Sequence, residues 1–255
     1  MDKWRKLFDS VYVIGITSYS GAGKSSMLGW LAENPRVHAM RGNEFRNRAA
    51  QTKKTELQRE FGNNIFNPND GLFDVNYLYT LSEEQRLACH NKLVPFIERE
   101  LYKEISKMAE TGKDIFVIEW ALLPMLENVW GGCHKVFIDS KSRDRAIRLG
   151  GRADASCETD EAKERDRYIS ERWGGEDKIR IECAGSIIDN TGTMQGYKRN
   201  VMEFWHNTLM FMPRRTLERR NGRITGNGSV RETVAGFKPP DEGMGFEATV
   251  ARKVK

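Results

Sequence analysis

The stretch that decides the fold is Val11-Tyr-Val-Ile-Gly-Ile-Thr-Ser-Tyr-Ser-Gly-Ala-Gly-Lys24-Ser25. Its first six residues form a short apolar run, which predicts a strand buried on both faces of a parallel sheet. A glycine-rich turn follows, and from Lys24 to Ala32 the apolar residues share one helical face. Strand, glycine-rich turn and helix in this order predict the first βα unit of an α/β domain.

The glycine-rich turn has the G-x-G-K-S core of a Walker A phosphate-binding loop, in the strand-to-helix context that the motif requires. Its backbone N–H groups and the positive end of the helix dipole would form a nest for the phosphates of ATP. We predict that Lys24 bridges the β- and γ-phosphates and that the Ser25 hydroxyl binds Mg²⁺. Ser18 replaces the motif's first glycine, so the turn there has to accommodate a Cβ. The predicted nucleotide-binding residues of the loop are Ser20, Gly21, Ala22, Gly23, Lys24, Ser25 and Ser26.

The rest of the chain continues the alternation of strands and helices. Further apolar runs predict strands at 115–118, 135–138 and 186–189. Helices are predicted at 24–32, 41–60, 82 to about 110, 142–152, 160–173 and 194–210. This alternation predicts an α/β fold with a mostly parallel, doubly wound sheet in three layers. We expect the domain to cover residues 1–213 and to be followed by a loosely structured extension over 214–255.

Charge is unevenly distributed along the 255 residues. The extension 214–255 holds ten Lys/Arg and five Asp/Glu, so it carries the whole net charge of +5. An apolar fraction of 39% excludes a disordered chain, and no window has the roughly 20 apolar residues of a membrane span. The four cysteines have no C-x-x-C spacing and the four histidines lie far apart, so neither a disulfide framework nor a zinc site is expected. We expect a cytoplasmic protein without a secretory signal or a membrane partner.

Three arginines indicate what the nucleotide is used for. Arg145, Arg148 and Arg152 share one helical face after the third predicted strand, and the charged segment behind them contains further arginines: Arg165, Arg167 and Arg172. A solvated basic face would look the same. Kinases, however, need mobile arginines that neutralise the transferring phosphoryl group, and no N-K-x-D segment for reading guanine is present. The pattern therefore favours a P-loop kinase with a lid over about 141–180.

Seven pieces of sequence stand in the order of one known family. They are Val13–Thr17 with Gly21–Ser25; Phe61-Gly62, Ile65, Asp70-Gly71 and Leu78; Val94–Ile97; Val117–Leu123; Val136–Asp139; Arg148-Leu149 with Arg152; and Ala184–Gly192. Over about residues 11–205 the chain resembles the dephospho-coenzyme A kinase family. The resemblance implies a P-loop kinase with a helical acceptor-binding part over about 41–110. It also implies transfer of the ATP γ-phosphate to a 3′-hydroxyl of the coenzyme precursor.

The departures from the family pattern lie on the acceptor side. Asn43 stands where the family's catalytic aspartate is implied, with Glu44 beside it. The ATP-side positions Lys24, Ser25, Arg148, Asp189 and Asn190 match. The family's acceptor-side histidine, proline, arginine and lid glutamine are replaced by Val94, Ala121, Val75 and Arg145. A changed acceptor and a diverged enzyme with the same acceptor both fit this pattern.

Candidate catalytic residues are therefore Lys24, Glu44, Glu119, Arg148 and Arg152. Glu119 ends a buried strand at the carboxyl edge of the sheet, where it is a candidate general base and Mg²⁺ ligand; Glu44 is the other candidate base. The neighbouring Trp120 is a candidate acceptor contact. Asn190 joins the predicted nucleotide-binding residues.

Three functions remain open at this stage. The first is an ATP- and Mg²⁺-dependent kinase of a small-molecule acceptor, most specifically dephospho-coenzyme A. The second is a phage-type kinase acting on a nucleotide or on the hydroxymethyl group of 5-hydroxymethyluracil in DNA; the basic extension 214–255 would then attract phosphate backbones. The third is a nucleotide-binding regulator without turnover. The sequence gives no oligomeric state.

Overall fold

A computed structural model describes residues 2–150 and 160–211, which all belong to one compact unit, Met1–Thr216. Its centre is a five-stranded sheet in which every pair of neighbouring strands is parallel. The strands are β1 (Tyr12–Thr17), β2 (Val37–Arg41), β3 (Ile115–Glu119), β4 (His134–Asp139) and β5 (Ile187–Asp189), in the spatial order β2-β3-β1-β4-β5. The predicted α/β fold with a parallel, doubly wound sheet is confirmed.

Helices cover both faces of the sheet. They are α1 (Asp2–Phe8), α2 (Lys24–Ala32), α3 (Gly42–Thr52), α4 (Lys54–Phe61), α5 (Val75–Thr80), α6 (Glu83–Glu110), α7 (Glu127–Trp130), α8 (Ser142–Gly150), α9 (Asp160–Trp173), α10 (Glu176–Glu182) and α11 (Met194–Phe211), with 3₁₀ turns at Asn63–Ile65 and Leu123–Met125. None of these helices is long and apolar enough to cross a membrane.

Two apolar clusters, one on each face of the sheet, make the three layers. On one face α2 and α11 pack against β1 and β4 through a cluster that includes Met27, Leu31, Val201 and Trp205. On the other face α3, α6 and α9 pack against side chains of β3 and β4 such as Phe116 and Phe137. Because successive side chains of a strand point to opposite faces, the largely buried strands β1, β3 and β4 contribute to both clusters.

The long helix α6 begins and ends where its capping residues predict. The Ser82 hydroxyl accepts a hydrogen bond from the Gln85 N–H at 3.3 Å, and the Gln85 side chain accepts one from the Ser82 N–H at 3.1 Å. This reciprocal pair is a capping box. At the other end Gly112 takes a positive φ of 102°, which closes the helix.

Several elements are absent from the sequence prediction. Strand β2 was missed because it lies at the edge of the sheet and only Val37 and Met40 of its five residues are buried, so it has no apolar run. Residues 41–60 are helical as predicted, but in two helices: Lys53, with φ −107° and ψ 14°, separates α3 from α4. Helices α1, α5, α7 and α10 are short and were not predicted. Residues 151–159 and 212–255 lie outside the described residues, as do Arg152 and the whole extension.

Candidate active site

The phosphate loop joins β1 to α2 in the geometry that its glycines permit. Gly21 and Gly23 have φ values of 74° and 105°, in the left-handed region that favours glycine. A Cβ at Gly23 would stand 2.6 Å from Nδ2 of Asn190, so the loop also has no room for a larger residue there. Ser18 needs no positive φ, and its buried hydroxyl donates to the Ile138 carbonyl at 2.6 Å. A serine at the motif's first position is therefore compatible with the turn.

Lys24, Ser25 and Glu119 meet at the carboxyl edge of the sheet. Strand β3 pairs with β1 so that Glu119 lies opposite Ile16, two residues before the loop. The Ser25 hydroxyl donates to Oε1 of Glu119 at 3.3 Å, and Nζ of Lys24 donates to the carbonyls of Ser18 and Tyr19 at 2.9 and 2.7 Å. Burial raises the pKa of Glu119 above its ordinary value, and the Lys24 charge and the Ser25 hydrogen bond oppose this only in part.

Two arginines of α8 hold the phosphate loop from the other side. Arg148 donates to the Gly21 carbonyl at 3.3 Å, to the Ser140 hydroxyl at 2.7 Å and to the backbone carbonyl of Asn190 at 2.6 Å. Asn190, which follows β5, in turn donates to the Ala22 carbonyl at 2.7 Å. The sequence-predicted residues Arg148 and Asn190 are thus brought to the loop together. The role of Arg152 stays a prediction.

Arg145 joins the loop to α9. Its guanidinium donates to Oδ2 of Asp166 at 2.6 Å, reaches the Ser20 carbonyl at 3.4 Å, and lies 4.7 Å above the Tyr19 ring. Tyr19 itself donates to Glu176 at 2.9 Å and packs on Trp173. The loop therefore contacts the α8–α10 segment through both Arg145 and Tyr19. The described parts of the segment predicted as a lid, 141–150 and 160–180, thus contact the phosphate loop, and the role of the segment as a lid stays a prediction.

A cavity of about 450 Å³ extends from the phosphate loop towards helices α3, α5, α6 and α9. At one end it is lined by Ser20, Lys24 and Glu119. The residues that line the rest are Asn43, Arg46, Asn47, Asn67, Asp70, Leu72, Phe73, Asp74, Val75, Asn76, Leu78, Tyr79, His90, Trp120, Ala121, Leu122, Arg165 and Ile169. One continuous space thus joins the phosphate-loop end to an acceptor end.

The two candidate base positions on α3 have different surroundings. Asn43 lines the cavity, and its Oδ1 accepts a hydrogen bond from the Trp120 indole at 3.1 Å. Glu44 does not line the cavity; its side chain is 52% exposed and lies 3.5 Å from Arg41. Of the two candidate bases, Glu44 and Glu119, only Glu119 lines the cavity. A role of Glu44 as a base stays a prediction. The candidate acceptor contact Trp120 lines the cavity.

The acceptor end contains two titratable side chains, Arg46 and His90, that the sequence analysis missed. Arg46 is only 9% exposed, and burial lowers its pKa to about 10. His90 is buried beside it; burial, followed by the charges of Arg46, Arg172 and Arg86, lowers the His90 pKa to about 3. A signal for Arg46 existed, because Arg46, Ala49 and Ala50 occupy one face of α3 that is otherwise apolar. An arginine is rarely buried on such a face unless it has a partner or binds a ligand.

The residues at the phosphate-loop end fit a Mg²⁺ ion that is bound together with nucleotide phosphates. Hard oxygen ligands suit Mg²⁺, and the Ser25 hydroxyl and the Glu119 carboxylate supply two of them side by side. No cluster of three His, Cys, Asp or Glu side chains that would hold a metal ion alone occurs in the described part of the chain. A Mg²⁺ that also takes phosphate oxygens does not need one.

Fold and site together define an α/β protein with a Walker-type phosphate loop at the carboxyl edge of a parallel sheet. Among solved structures, the chain is similar to TT1252 from Thermus thermophilus, with 22% sequence identity, a TM-score of 0.56 and coverage of 77% of this chain and 97% of that one. It is also similar to a dephospho-CoA kinase from Campylobacter jejuni, with 15% identity, a TM-score of 0.48 and coverage of 78% and 96%. No protein-family model and no curated protein matches the sequence. At this level of identity, the likeness to TT1252 shows a shared fold.

Proposed function

We propose that this protein is an ATP- and Mg²⁺-dependent phosphotransferase that moves the γ-phosphate of ATP to an acceptor hydroxyl. The observation that carries the proposal is the continuous cavity, which joins Lys24 and Glu119 to a separate, charged acceptor end. A hydrolase or a switch needs only the first of these ends. A kinase has to hold two substrates in one space, so that the reacting oxygens meet.

The residues of the loop have separate tasks in this reaction. Lys24, which now donates to the Ser18 and Tyr19 carbonyls, is placed to donate to the β- and γ-phosphates instead. Ser25 and Glu119 would hold Mg²⁺, which would neutralise charge on the phosphates when bound. Arg148, fixed by Asn190 and Ser140, supports the transferring phosphoryl group from the α8 side. The loop backbone supplies the nest of N–H groups.

Glu119 is the proposed general base. It lines the same cavity as the acceptor-end residues, and burial raises its pKa while no metal is bound. Mg²⁺ on one carboxylate oxygen would oppose that rise and leave the other oxygen to accept the proton. The acceptor hydroxyl would lose its proton to Glu119 while the hydroxyl oxygen attacks the γ-phosphorus and ADP leaves. Phosphoryl transfer depends more on positioning than on base strength, so Glu119 contributes less than the loop does.

Dephospho-coenzyme A is the first acceptor to test, because the family resemblance implies it. The second is duplex DNA containing 5-hydroxymethyluracil, which is favoured by the ten basic residues of 214–255 and by Asn43 at the expected aspartate position. The expected compartment, the cytoplasm, is compatible with both acceptors.

The test is ADP release from ATP and Mg²⁺ in parallel reactions with each acceptor, with the phosphorylated product identified by mass. Product from dephospho-coenzyme A supports the first acceptor; product on DNA supports the second. Removal of residues 214–255 should leave the first reaction unchanged and weaken the second, most at low salt. ATP binding without product from either acceptor would contradict both kinase proposals and favour a regulator without turnover.

A further inference from the structure

The acceptor end of the cavity contains two arginines without a carboxylate partner. Arg46 of α3 donates from Nη2 to Oδ1 of Asn47 at 3.1 Å and lies 5.4 Å from the centre of the Phe73 ring. Arg165 of α9 lies 5.3 Å from the centre of the Tyr79 ring. Among the described residues neither forms an ion pair, and Nε of each is buried without a hydrogen-bond partner. Such unpaired charge is costly in a folded protein.

Two neighbouring arginines show the ordinary arrangement. Arg86 pairs with Glu164 and Arg172 pairs with Glu83, each at 2.9 Å. All four guanidinium groups lie in one aromatic and cationic neighbourhood around Tyr79 and Tyr168. The two arginines that line the cavity are the two that lack a carboxylate. The negative charge that these two arginines lack would therefore have to come from a ligand bound in the cavity.

The carboxylates that line the cavity are engaged elsewhere. Asp74 caps α5 by accepting from the N–H groups of Asn76 and Tyr77, at 2.8 and 3.1 Å. Asp70 accepts from the Leu72 N–H at 2.9 Å, and Glu119 faces Ser25 at 3.3 Å. His90 cannot supply negative charge, and its depressed pKa keeps it neutral at physiological pH. No described group of the cavity wall neutralises Arg46 and Arg165.

We propose that Arg46 and Arg165 bind a phosphate group of the acceptor, so that the acceptor is a small molecule that already carries a phosphate. This rests on the proposed kinase function and adds its specificity. A guanidinium presents donors in a planar fork that matches phosphate oxygens, and two such forks suit a dianion or a diphosphate. Because α3 and α9 each supply one arginine, the bound phosphate also joins the two elements. An acceptor without phosphate would leave both charges unpaired.

The experiment measures binding rather than turnover. Inorganic pyrophosphate is titrated calorimetrically into the full chain after the phosphate loop has been saturated with Mg²⁺ and a non-hydrolysable ATP analogue. We expect one further site in the unaltered protein. Charge-assisted hydrogen bonds contribute about 1.5–3 kcal/mol, so Arg46→Met and Arg165→Met should each weaken it about 10- to 100-fold.

Matched controls come from helices that border the cavity. Arg48 of α3 and Arg99 of α6 have side chains that are 53% and 48% exposed and do not line the cavity. Arg48→Met and Arg99→Met should leave pyrophosphate binding unchanged. A purely structural Arg46 would show a lower thermal midpoint in Arg46→Met. Removal of an unpaired buried charge should instead leave the midpoint unchanged or raise it.

The outcomes separate this inference from the kinase proposal. No pyrophosphate site beside the bound analogue, or equal affinity in Arg46→Met and Arg165→Met, overturns the phosphate site even if ADP is released. A site that depends on both arginines supports it even if neither tested acceptor turns over. Displacement of pyrophosphate by short duplex DNA, lost in Arg46→Met, would assign the phosphate to a nucleic-acid backbone and overturn the small-molecule acceptor.

Discussion

The arginines at the two ends of the cavity differ in whether they have partners within the protein. At the phosphate loop, Arg145 pairs with Asp166, and Arg148 is held by Ser140 and Asn190. At the acceptor end, Arg46 and Arg165 have no carboxylate among the described residues. The first end is organised by its own protein partners before any ligand binds. The second end has excess positive charge that a bound ligand would balance.

This difference separates general chemistry from substrate choice. A preorganised loop costs little reorganisation when nucleotide binds, and its parts serve any protein that uses ATP. Unpaired buried charge lowers stability in the free protein and is tolerated where binding recovers the cost. The acceptor end therefore carries the information about what this protein acts on. Variants at the two ends should therefore affect different properties of the protein, and not the same property to different extents.

The largest effect is expected from Lys24→Met. This change removes the ammonium that we propose donates to the β- and γ-phosphates, and loss of one such electrostatic contact lowers turnover by about 100- to 1,000-fold. Phosphate transfer should become undetectable in a coupled ADP assay, while pyrophosphate binding at the acceptor end remains. Lys103→Met, at a 62% exposed position, is the control. Turnover retained within tenfold in Lys24→Met would contradict a Walker-type loop.

A smaller effect, about 100-fold on kcat/KM, is expected from Glu119→Gln. The base has to be deprotonated, so activity is lost as pH falls through its pKa. Burial raises that pKa and Mg²⁺ bound to the carboxylate would oppose the rise, so the acid limb of the kcat/KM profile should lie at higher pH when Mg²⁺ is limiting than when it is saturating. Glu119→Gln should lower the plateau and remove this limb. An identical acid limb in the variant would show that another group is responsible, and Glu44→Gln would be the next measurement.

The phosphate-loop end was predictable from sequence because its parts are local. Strand, loop, lysine and serine fall within fifteen residues, and the backbone geometry follows from glycines whose conformations few other residues adopt. Glu119 and Asn190 were found because each follows a buried apolar run, and parallel strands bring their carboxyl ends to one edge. The sheet was predictable for the same reason, apart from the half-exposed edge strand Val37–Arg41.

The acceptor end was less predictable because its residues come from elements that are distant in the sequence. The apolar face of α3 indicates that Arg46 is buried but not what surrounds it, and Arg165 was predicted only as one arginine of a charged segment. That Arg86 and Arg172 have carboxylates and Arg46 and Arg165 do not depends on the packing of α6 against α9. The difference between Asn43 and Glu44 is one residue of helical register.

An effect of about 1–3 kcal/mol on unfolding is expected from Gly42→Ala, at the start of α3. The added Cβ would stand 2.4 Å from Cβ and Cγ of Trp120, so α3 or the indole has to move, and the Trp120–Asn43 hydrogen bond with it. Gly29→Ala is the matched control, because no atom lies within 4 Å of its added Cβ. Urea unfolding should show that Gly29→Ala is as stable as the parent or more so, by up to about 1 kcal/mol. Equal stability of both variants would contradict the contact between Gly42 and Trp120.

The smallest effect concerns His90 and measures the positive environment of the acceptor end directly. Its pKa is about 3 in the folded protein, against 6.5 as the ordinary value. Below pH 6.5 the unfolded chain therefore binds a proton that the folded protein does not. Stability is lost as pH falls, by up to about 1.4 kcal/mol per pH unit for this group. Between pH 7.5 and 5 the parent should lose about 2 kcal/mol from His90, a loss absent in His90→Gln.

The control for His90 is His206→Gln, at an exposed position of α11, which should leave the pH dependence of unfolding as in the parent. Combining His90→Gln with Arg46→Met sharpens the comparison further. The charge of Arg46 is the largest contribution to the depressed His90 pKa after burial itself. In an Arg46→Met background, the folded-state pKa of His90 should therefore rise, and the His90-dependent loss of stability should level off at a higher pH than in the parent. An unchanged levelling-off pH would mean that burial alone keeps His90 neutral and that the charge of Arg46 does not act on it.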